Sequence, residues 1–449
     1  MAGTPRRRRL LGPEDRAIAA LAVPAFATLV AEPLFLLADA AIVGHLGRLP
    51  LAGLGIAGAL LASAVGVCVF LAYGTTATVG RRLGAGDVRG ALATGVDGLW
   101  LALGLGAVVW LAAAATAPLL VTALGASPEV APYAVTYLRW SLPGLPAMLV
   151  VLAATGVLRG LQDTRTPLYV AAAGAAANAV LNWLLVYPLG LGIAGSGLGT
   201  AIAQLGMGAA LAVVVVRAAR AEGATLRPHP AGIRAAAAAG VPLVARTLLL
   251  RAVLLVTTYA AARTGDVQLA AHQVVMTIWT TAAFALDAVA IAGQALTGRG
   301  LGRGDTTAVR AATRRMTAWG IGLGVALTVG LLAVHRVVGA LFTEDPDVRA
   351  AIAAALLVLC ATLPLAGYVF VLDGVLIGAG DGRYLAVAML VTLVAYLPIV
   401  AALLAAGPGG TAGLVWLWVA FTGGFMGVRA VTLGLRARSD RWMVVGALR

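Results

Sequence analysis

The chain runs to 449 residues, of which 61% are hydrophobic and 11% charged. A soluble domain carries about 25% charged residues, so this composition excludes a water-soluble globular protein and describes a polytopic membrane protein. The formal net charge of +14 rests on arginine alone, in short clusters between apolar segments and without interleaved aromatics, which excludes a nucleic-acid surface and reads as the positive-inside pattern.

The basic start, Met1 to Arg9, precedes an apolar stretch too long for a signal-peptide core, so an uncleaved first span is expected. Twelve apolar segments are long enough to cross a bilayer, near 17–46, 50–80, 89–117, 129–160, 165–188, 193–218, 236–263, 267–299, 306–337, 347–378, 384–406 and 411–437. One set of segment ends is rich in arginine, including Arg6 to Arg9, Arg81, Arg82, Arg217, Arg220, Arg299, Arg303, Arg429 and Arg436; the other holds only Arg48, Arg263, Arg336 and Arg349. The rich set is expected in the cytoplasm, with both termini inside and the protein in the cell's inner membrane. The longest loop, Arg217 to Arg234, contains Arg227-Pro228-His229-Pro230 and reads as a linker. The expected organisation is a six-helix bundle over 1–216, a cytoplasmic linker over 217–234 and a second six-helix bundle over 235–449.

The halves repeat at a constant offset of 218 residues. Pro24 matches Pro242, Pro146 matches Pro364, and Leu83-Gly84-Ala85-Gly86-Asp87 matches Leu301-Gly302-Arg303-Gly304-Asp305. Each half holds six spans, an even number, so both insert in the same direction. The expected fold is an all-α membrane protein of twelve helices, its two bundles related by a pseudo-two-fold axis along the membrane normal with a cavity between them.

The repeat separates scaffold from chemistry. Asp39 maps onto Thr257, Asn178 onto Tyr396, Asn182 onto Val400 and Thr200 onto Trp418, so these polar groups belong to one half only. Asp39 lies about seven residues from the far end of the first segment, roughly 10 Å below the surface. A carboxylate at that depth is expensive and marks a functional site by default. Asn178 and Thr200 fall at similar depth, and Asn182 shares the face of Asn178. The set can carry a proton on Asp39 or a small hard cation on its oxygens; interhelical hydrogen bonding is the other reading of Asn182 and Thr200.

Glu32 lies near the face of Asp39, and Arg139 is available to neutralise either acid. Asp97, near an inner end, reads as a solvated or capping residue. In the second half Asp287 and Asp373 occur alongside Arg246 and Arg251, which suggests internal pairing. His45 and His272 read as interfacial residues. Cys68 and Cys360 fall in apolar segments and form no disulfide or zinc framework. The Gly84-Ala85-Gly86-Asp87 and Gly302-Arg303-Gly304-Asp305 loops lack the strand and Gly-Lys-Ser/Thr of a P-loop and read as tight turns. Gly195-Ser196-Gly197-Leu198-Gly199 reads as close helix packing. No catalytic triad, Cys-His pair or HExxH presents itself, so neither an enzyme nor a cofactor is expected.

Several stretches together resemble the MATE (multidrug and toxic compound extrusion) family, and within it the DinF-like branch. They are Glu32-Pro33-Leu34, Leu37-Ala38-Asp39-Ala40-Ala41-Ile42-Val43-Gly44-His45, Leu158-Arg159-Gly160-Leu161-Gln162-Asp163, Leu269-Ala270-Ala271-His272-Gln273, Ala285-Leu286-Asp287-Ala288 and Leu372-Asp373-Gly374-Val375. The resemblance implies two six-helix lobes in a V and secondary antiport driven by H+ or Na+. It implies ion coupling at Asp39, with Asn178 and Thr200 beside it, and a helix-1 bend at Pro24. Some relatives carry Asp where this chain has Asn182; the missing carboxylate weakens the case for Na+ at Asp39, Asn178 and Thr200 and makes H+ the expected coupling ion.

The function expected is a monomeric exporter of small amphipathic or cationic compounds, with an organic small molecule and the lipid bilayer as its partners. A proton neutralising Asp39 would change its bonds to Asn178 and allow a bend at Pro24. The alternative is a lipid-linked oligosaccharide flippase of the same wider superfamily, which would need a cationic cavity for pyrophosphate.

Overall fold

A computed structural model describes residues 12–447, apart from the side chains of Pro13 and Glu32. Arg6 to Arg9 and Arg449 lie outside the described residues. Those residues form helices joined by short turns, with no strand among them. Twelve helices are long and apolar enough to cross a membrane. Spans 1 to 6 are Glu14–Gly44, Arg48–Gly84, Val88–Ala123, Ala131–Gly160, Arg165–Val186 and Gly192–Ala221. Spans 7 to 12 are Pro230–Thr264, Asp266–Gly302, Thr306–Val334, Pro346–Gly378, Gly382–Ala406 and Gly410–Arg438. The largest departures from the sequence expectation are at the end of span 3, at 123 rather than 117, and the start of span 7, at 230 rather than 236.

The second departure shortens the linker. Span 6 continues to Ala221, and span 7 begins at Pro230, so the non-helical connection is 222–229 rather than 217–234. His229 supplies the reason: its ring Nδ1 accepts from the Gly232 N–H at 3.1 Å and caps the helix, while Pro230 has no N–H to leave unpaired. Asp97 accepts from the His229 N–H at 3.0 Å, so it ties the linker to span 3.

The repeat is visible in the backbone as well as in the sequence. Gly86 and Gly304 turn the chain at φ +80° and +78°, a region open to glycine. The next residues, Asp87 and Asp305, cap spans 3 and 9 by accepting from the Gly90 and Ala308 N–H groups at 2.8 and 2.9 Å. Three spans are interrupted. Span 2 breaks between helices ending at Val67 and starting at Phe70, span 4 tightens into a 3-10 turn at Leu142–Gly144, and span 12 passes through a wide π-type turn at Val419–Phe425.

The lobes meet through the Arg-rich halves of their spans. A Cβ on Gly84 would stand 2.0 Å from the Arg299 carbonyl oxygen, and a Cβ on Gly302 would stand 2.0 Å from that of Arg81. Both pairs are mates at the repeat offset, so this double contact sits on the pseudo-two-fold axis. The same arginines cross the interface with their side chains. Arg81 donates to the Ala379 carbonyl at 2.7 Å and to Val444 at 2.8 Å, and Arg299 donates to the Gln162 side chain. Leu21 and Ala22 of span 1 pack against Ala292 and Ala295 of span 8, with Ala25 against Ala288 and Ile291 one turn further along. At the start of span 1, Asp15 accepts from Arg315 at 2.5 and 2.7 Å and from Trp319 at 2.8 Å. Towards the other end Leu34, Leu36 and Leu37 of span 1 are exposed.

Candidate functional site

Asp39 ends up inside the N-terminal lobe rather than between the lobes. It is 1% exposed. Spans 4, 5 and 6 enclose it, and each contributes a polar group. Thr200 donates to Oδ2 at 3.2 Å, Tyr137 donates to Oδ2 at 3.3 Å, and the Asn182 amide donates to Oδ1. Asn178 donates to Thr200 at 3.2 Å, and Asn182 also reaches Ser196 at 3.5 Å. Asn178, Asn182 and Ser196 are wholly buried. The four candidates Asp39, Asn178, Asn182 and Thr200 are therefore one hydrogen-bonded cluster.

Its wiring corrects the expectation in one respect. Asn182, not Asn178, touches the carboxylate; Asn178 acts one bond back, through Thr200. The two asparagines share a face, but Asn182 lies one turn nearer the level of Asp39. Glycine permits the approach of span 6. A Cβ on Gly199 would stand 2.0 Å from Asn182 Oδ1, and one on Gly197 would stand 2.7 Å from the Tyr137 carbonyl.

Sequence reasoning missed Tyr137 and Ser196. The charge of Arg139 drew attention to span 4, yet two residues along a helix point to different faces. Tyr137 is 3% exposed and enters the cluster, while Arg139 is exposed and takes no part in it. The signal that was available is the repeat: Tyr137 maps onto Ala355 and Ser196 onto Leu414, the same loss of polarity seen at Asp39. Glu32 lies in the span-1 helix, and its side chain lies outside the described residues.

The equivalent place in the C-terminal lobe is filled and neutral. Thr257 and Tyr396, the mates of Asp39 and Asn178, bond to each other at 2.8 Å. Trp418, the mate of Thr200, is 1% exposed and packs edge-on to Phe421 at 5.6 Å. His272, expected at the interface, is instead fully buried, with its ring 5.7 Å from Trp418. The chain thus holds one polar pocket and one aromatic plug at equivalent positions.

The second-half charges form a separate network. Asp373 is held by Arg246 and by Arg429, the latter at 3.2 Å. Arg429 also lies 5.6 Å from the Phe425 ring centre. Asp287 lies within electrostatic reach of Arg159 from the other lobe and of Arg246. Arg251, expected to pair here, does not; Arg429, which the sequence assigned to the basic end of span 12, takes its place. Arg251 is exposed, and its guanidinium reaches across to span 2, 2.9 Å from where a Cβ on Gly66 would stand. Pro24 lies inside an unbroken span-1 helix, where Thr28 bonds back to its carbonyl at 2.9 Å.

Among the described residues no group of three or more His, Cys, Asp or Glu side chains could hold a metal ion. The Asp39 cluster offers one carboxylate, three hydroxyls and two amide oxygens, a donor set suited to a proton or a hard monovalent cation.

Comparison with known proteins agrees with this architecture. The MatE family model matches residues 24–184 and again residues 242–402, two segments displaced by the same offset as the repeat. The chain is 29% identical to Protein DETOXIFICATION 44, chloroplastic, of Arabidopsis thaliana over 445 residues, covering 95% of this chain and 83% of that protein. It is 29% identical to DNA damage-inducible protein F of Escherichia coli strain K12 over 375 residues, covering 81% of each. The solved MOP-superfamily transporter from Pyrococcus furiosus superposes with a TM-score of 0.85 over 96% of both chains at 22% identity, a likeness of fold.

Proposed function

Because the chain belongs to the MatE family, whose members are transporters and not enzymes, we propose that it is an antiporter exporting small amphipathic or cationic compounds in exchange for H+, with Asp39 as the coupling group. The observation that carries this reading is the company Asp39 keeps. The carboxylate is 1% exposed at membrane depth, and its partners, Thr200, Tyr137 and Asn182, are all neutral. An ionised acid there is costly, and a proton removes the cost.

The missing second carboxylate favours H+ over Na+: the group beside Asp39 on span 5 is the neutral Asn182, so the cluster carries one negative charge, which one proton neutralises. The buried Asn182 Oδ1, which has no partner, is the acceptor that a rotated amide would supply, so Na+ is the competing ion at Asp39, Asn178 and Thr200. In the proposed cycle the Arg-rich ends face the cytoplasm of the cell's inner membrane, and a proton enters from outside. Neutralising Asp39 weakens the bonds that tie span 1 to spans 4, 5 and 6. Span 1 then bends at Pro24, where the ring has already removed one backbone hydrogen bond. The proton drives this only through its preference for one of the two states.

The test is proton release on adding a fluorescent organic cation to purified protein in weakly buffered detergent, with and without Na+. Release from the wild type in both conditions, and none from Asp39→Asn, is expected. Release that requires Na+ would reassign the coupling ion, and equal release from Asp39→Asn would remove Asp39 from the mechanism.

A further inference from the structure

The charges within the spans differ in how far they are already satisfied. Asp39 is sealed inside its lobe by three neutral donors. Asp373 is clamped between Arg246 and Arg429, and Arg159 and Asp287 lie within electrostatic reach of each other. Arg251 differs from all of these: it is exposed, and among the described residues no carboxylate lies within ion-pair distance of it.

Its position explains what such a cation can meet. Span 7 runs from Pro230 to Thr264, so Arg251 stands close to the middle, and Gly66, which its guanidinium approaches, is central in span 2. Thirteen residues, roughly 20 Å of helix, separate it from the far end of span 7. Phe70 against Gly240 is a second contact between spans 2 and 7, nearer the Arg-rich ends. Arg251 therefore stands where the two lobes meet, farther from the Arg-rich ends than that contact. Leu248, Leu255 and Tyr259, all exposed, flank it on the same side of span 7 and provide an apolar wall.

We propose that Arg251 is a substrate-recognition residue that binds the carboxylate of an amphipathic organic acid or zwitterion in the cleft between the lobes. The assignment rests on the transporter reading and names one class of its cargo. A guanidinium matches a carboxylate with two parallel hydrogen bonds. The exposed apolar residues beside it take the rest of the molecule.

The experiment measures binding of dansylglycine and of its methyl ester to the purified full chain by fluorescence. The two share one body and differ in one charge. The wild type is expected to bind the acid at least about tenfold more tightly than the ester, the difference that a charged hydrogen bond makes. Arg251→Gln should abolish that preference while leaving the affinity for the ester unchanged, and Arg251→Lys should keep part of it. Equal affinity of the wild type for acid and ester overturns the proposal without reference to any variant, and so does a preference that survives in Arg251→Gln. If inorganic pyrophosphate displaces the acid more strongly than free glycine carboxylate does, the site reads phosphate and the carboxylate assignment falls. Asp39→Asn separates the two readings: it should lose substrate-driven proton release yet keep the acid-over-ester preference, so a failure of coupling and a failure of recognition register in different assays.

Discussion

The paired glycine contact on the pseudo-two-fold axis makes a quantitative prediction about which state the molecule occupies. Gly84→Ala places a methyl group 2.0 Å from the Arg299 carbonyl oxygen, whereas ordinary contact begins at 3.4 Å. The helices must part by roughly 1.4 Å, and overpacking of that kind costs about 1–3 kcal/mol. The clash lies between lobes and not within one, so the cost falls on the state closed at the Arg-rich end rather than on the folding of either bundle. A bias of that size moves a two-state equilibrium by about 5- to 150-fold. Gly302→Ala should do the same, because its clash with Arg81 is the symmetry mate. The assay uses a Cys68→Ala, Cys360→Ala background carrying Thr297→Cys, a position 1% exposed near this interface. Labelling by a membrane-impermeant maleimide from the Arg-rich side should accelerate in both glycine variants. Gly58→Ala is the control, since nothing lies within 4 Å of the added atom. Labelling at the wild-type rate in Gly84→Ala and Gly302→Ala would refute the argument that this contact holds the lobes together.

Asp373→Asn should lower folded yield, because Arg246 and Arg429 would lose their shared partner; breaking a buried pair costs about 3–5 kcal/mol, and thermal unfolding in detergent reads the loss. Wild-type yield with lost coupling would instead move ion coupling into the second lobe. Gly199→Ala should disrupt the Asp39 cluster by pushing Asn182 aside, and substrate-driven proton release should fall while the protein still inserts. Reporter fusions after Arg220 and at the C-terminus should report cytoplasm, and one at Ser127 should report the outside; a cytoplasmic Ser127 would overturn the two-by-six arrangement.

Much of the fold was legible because the bilayer imposes a simple rule. A buried helix must be apolar for some 20 residues, and arginine marks its ends, so the spans could be read directly. The repeat at offset 218 was legible because turns need particular residues: Gly86 with Asp87, and Gly304 with Asp305, do the same work twice. The site was legible where charge and asymmetry coincided, at Asp39, and less so where only rotation about a helix decided the outcome. Tyr137 and Arg139 lie two residues apart, and only packing reveals that the hydroxyl turns inward and the charge outward. The exchange of Arg251 for Arg429 has the same origin. Depth in the membrane follows from counting residues, but which of two arginines meets Asp373 depends on the approach of span 12, which passes through a wide turn at Val419–Phe425 before it reaches Arg429.

The most direct test of the account is pH-gradient-driven uptake of a fluorescent organic cation into inverted vesicles carrying Asp39→Asn. The amide keeps the size and hydrogen-bonding capacity of the acid but cannot ionise, and a neutral group costs less in this buried site, so the variant should fold. Thr257→Val, at the equivalent position of the plugged lobe, loses one hydrogen bond to Tyr396 and should transport nearly normally. The account predicts no uptake against the gradient in Asp39→Asn with binding of the cation retained; uptake at the wild-type rate would contradict it.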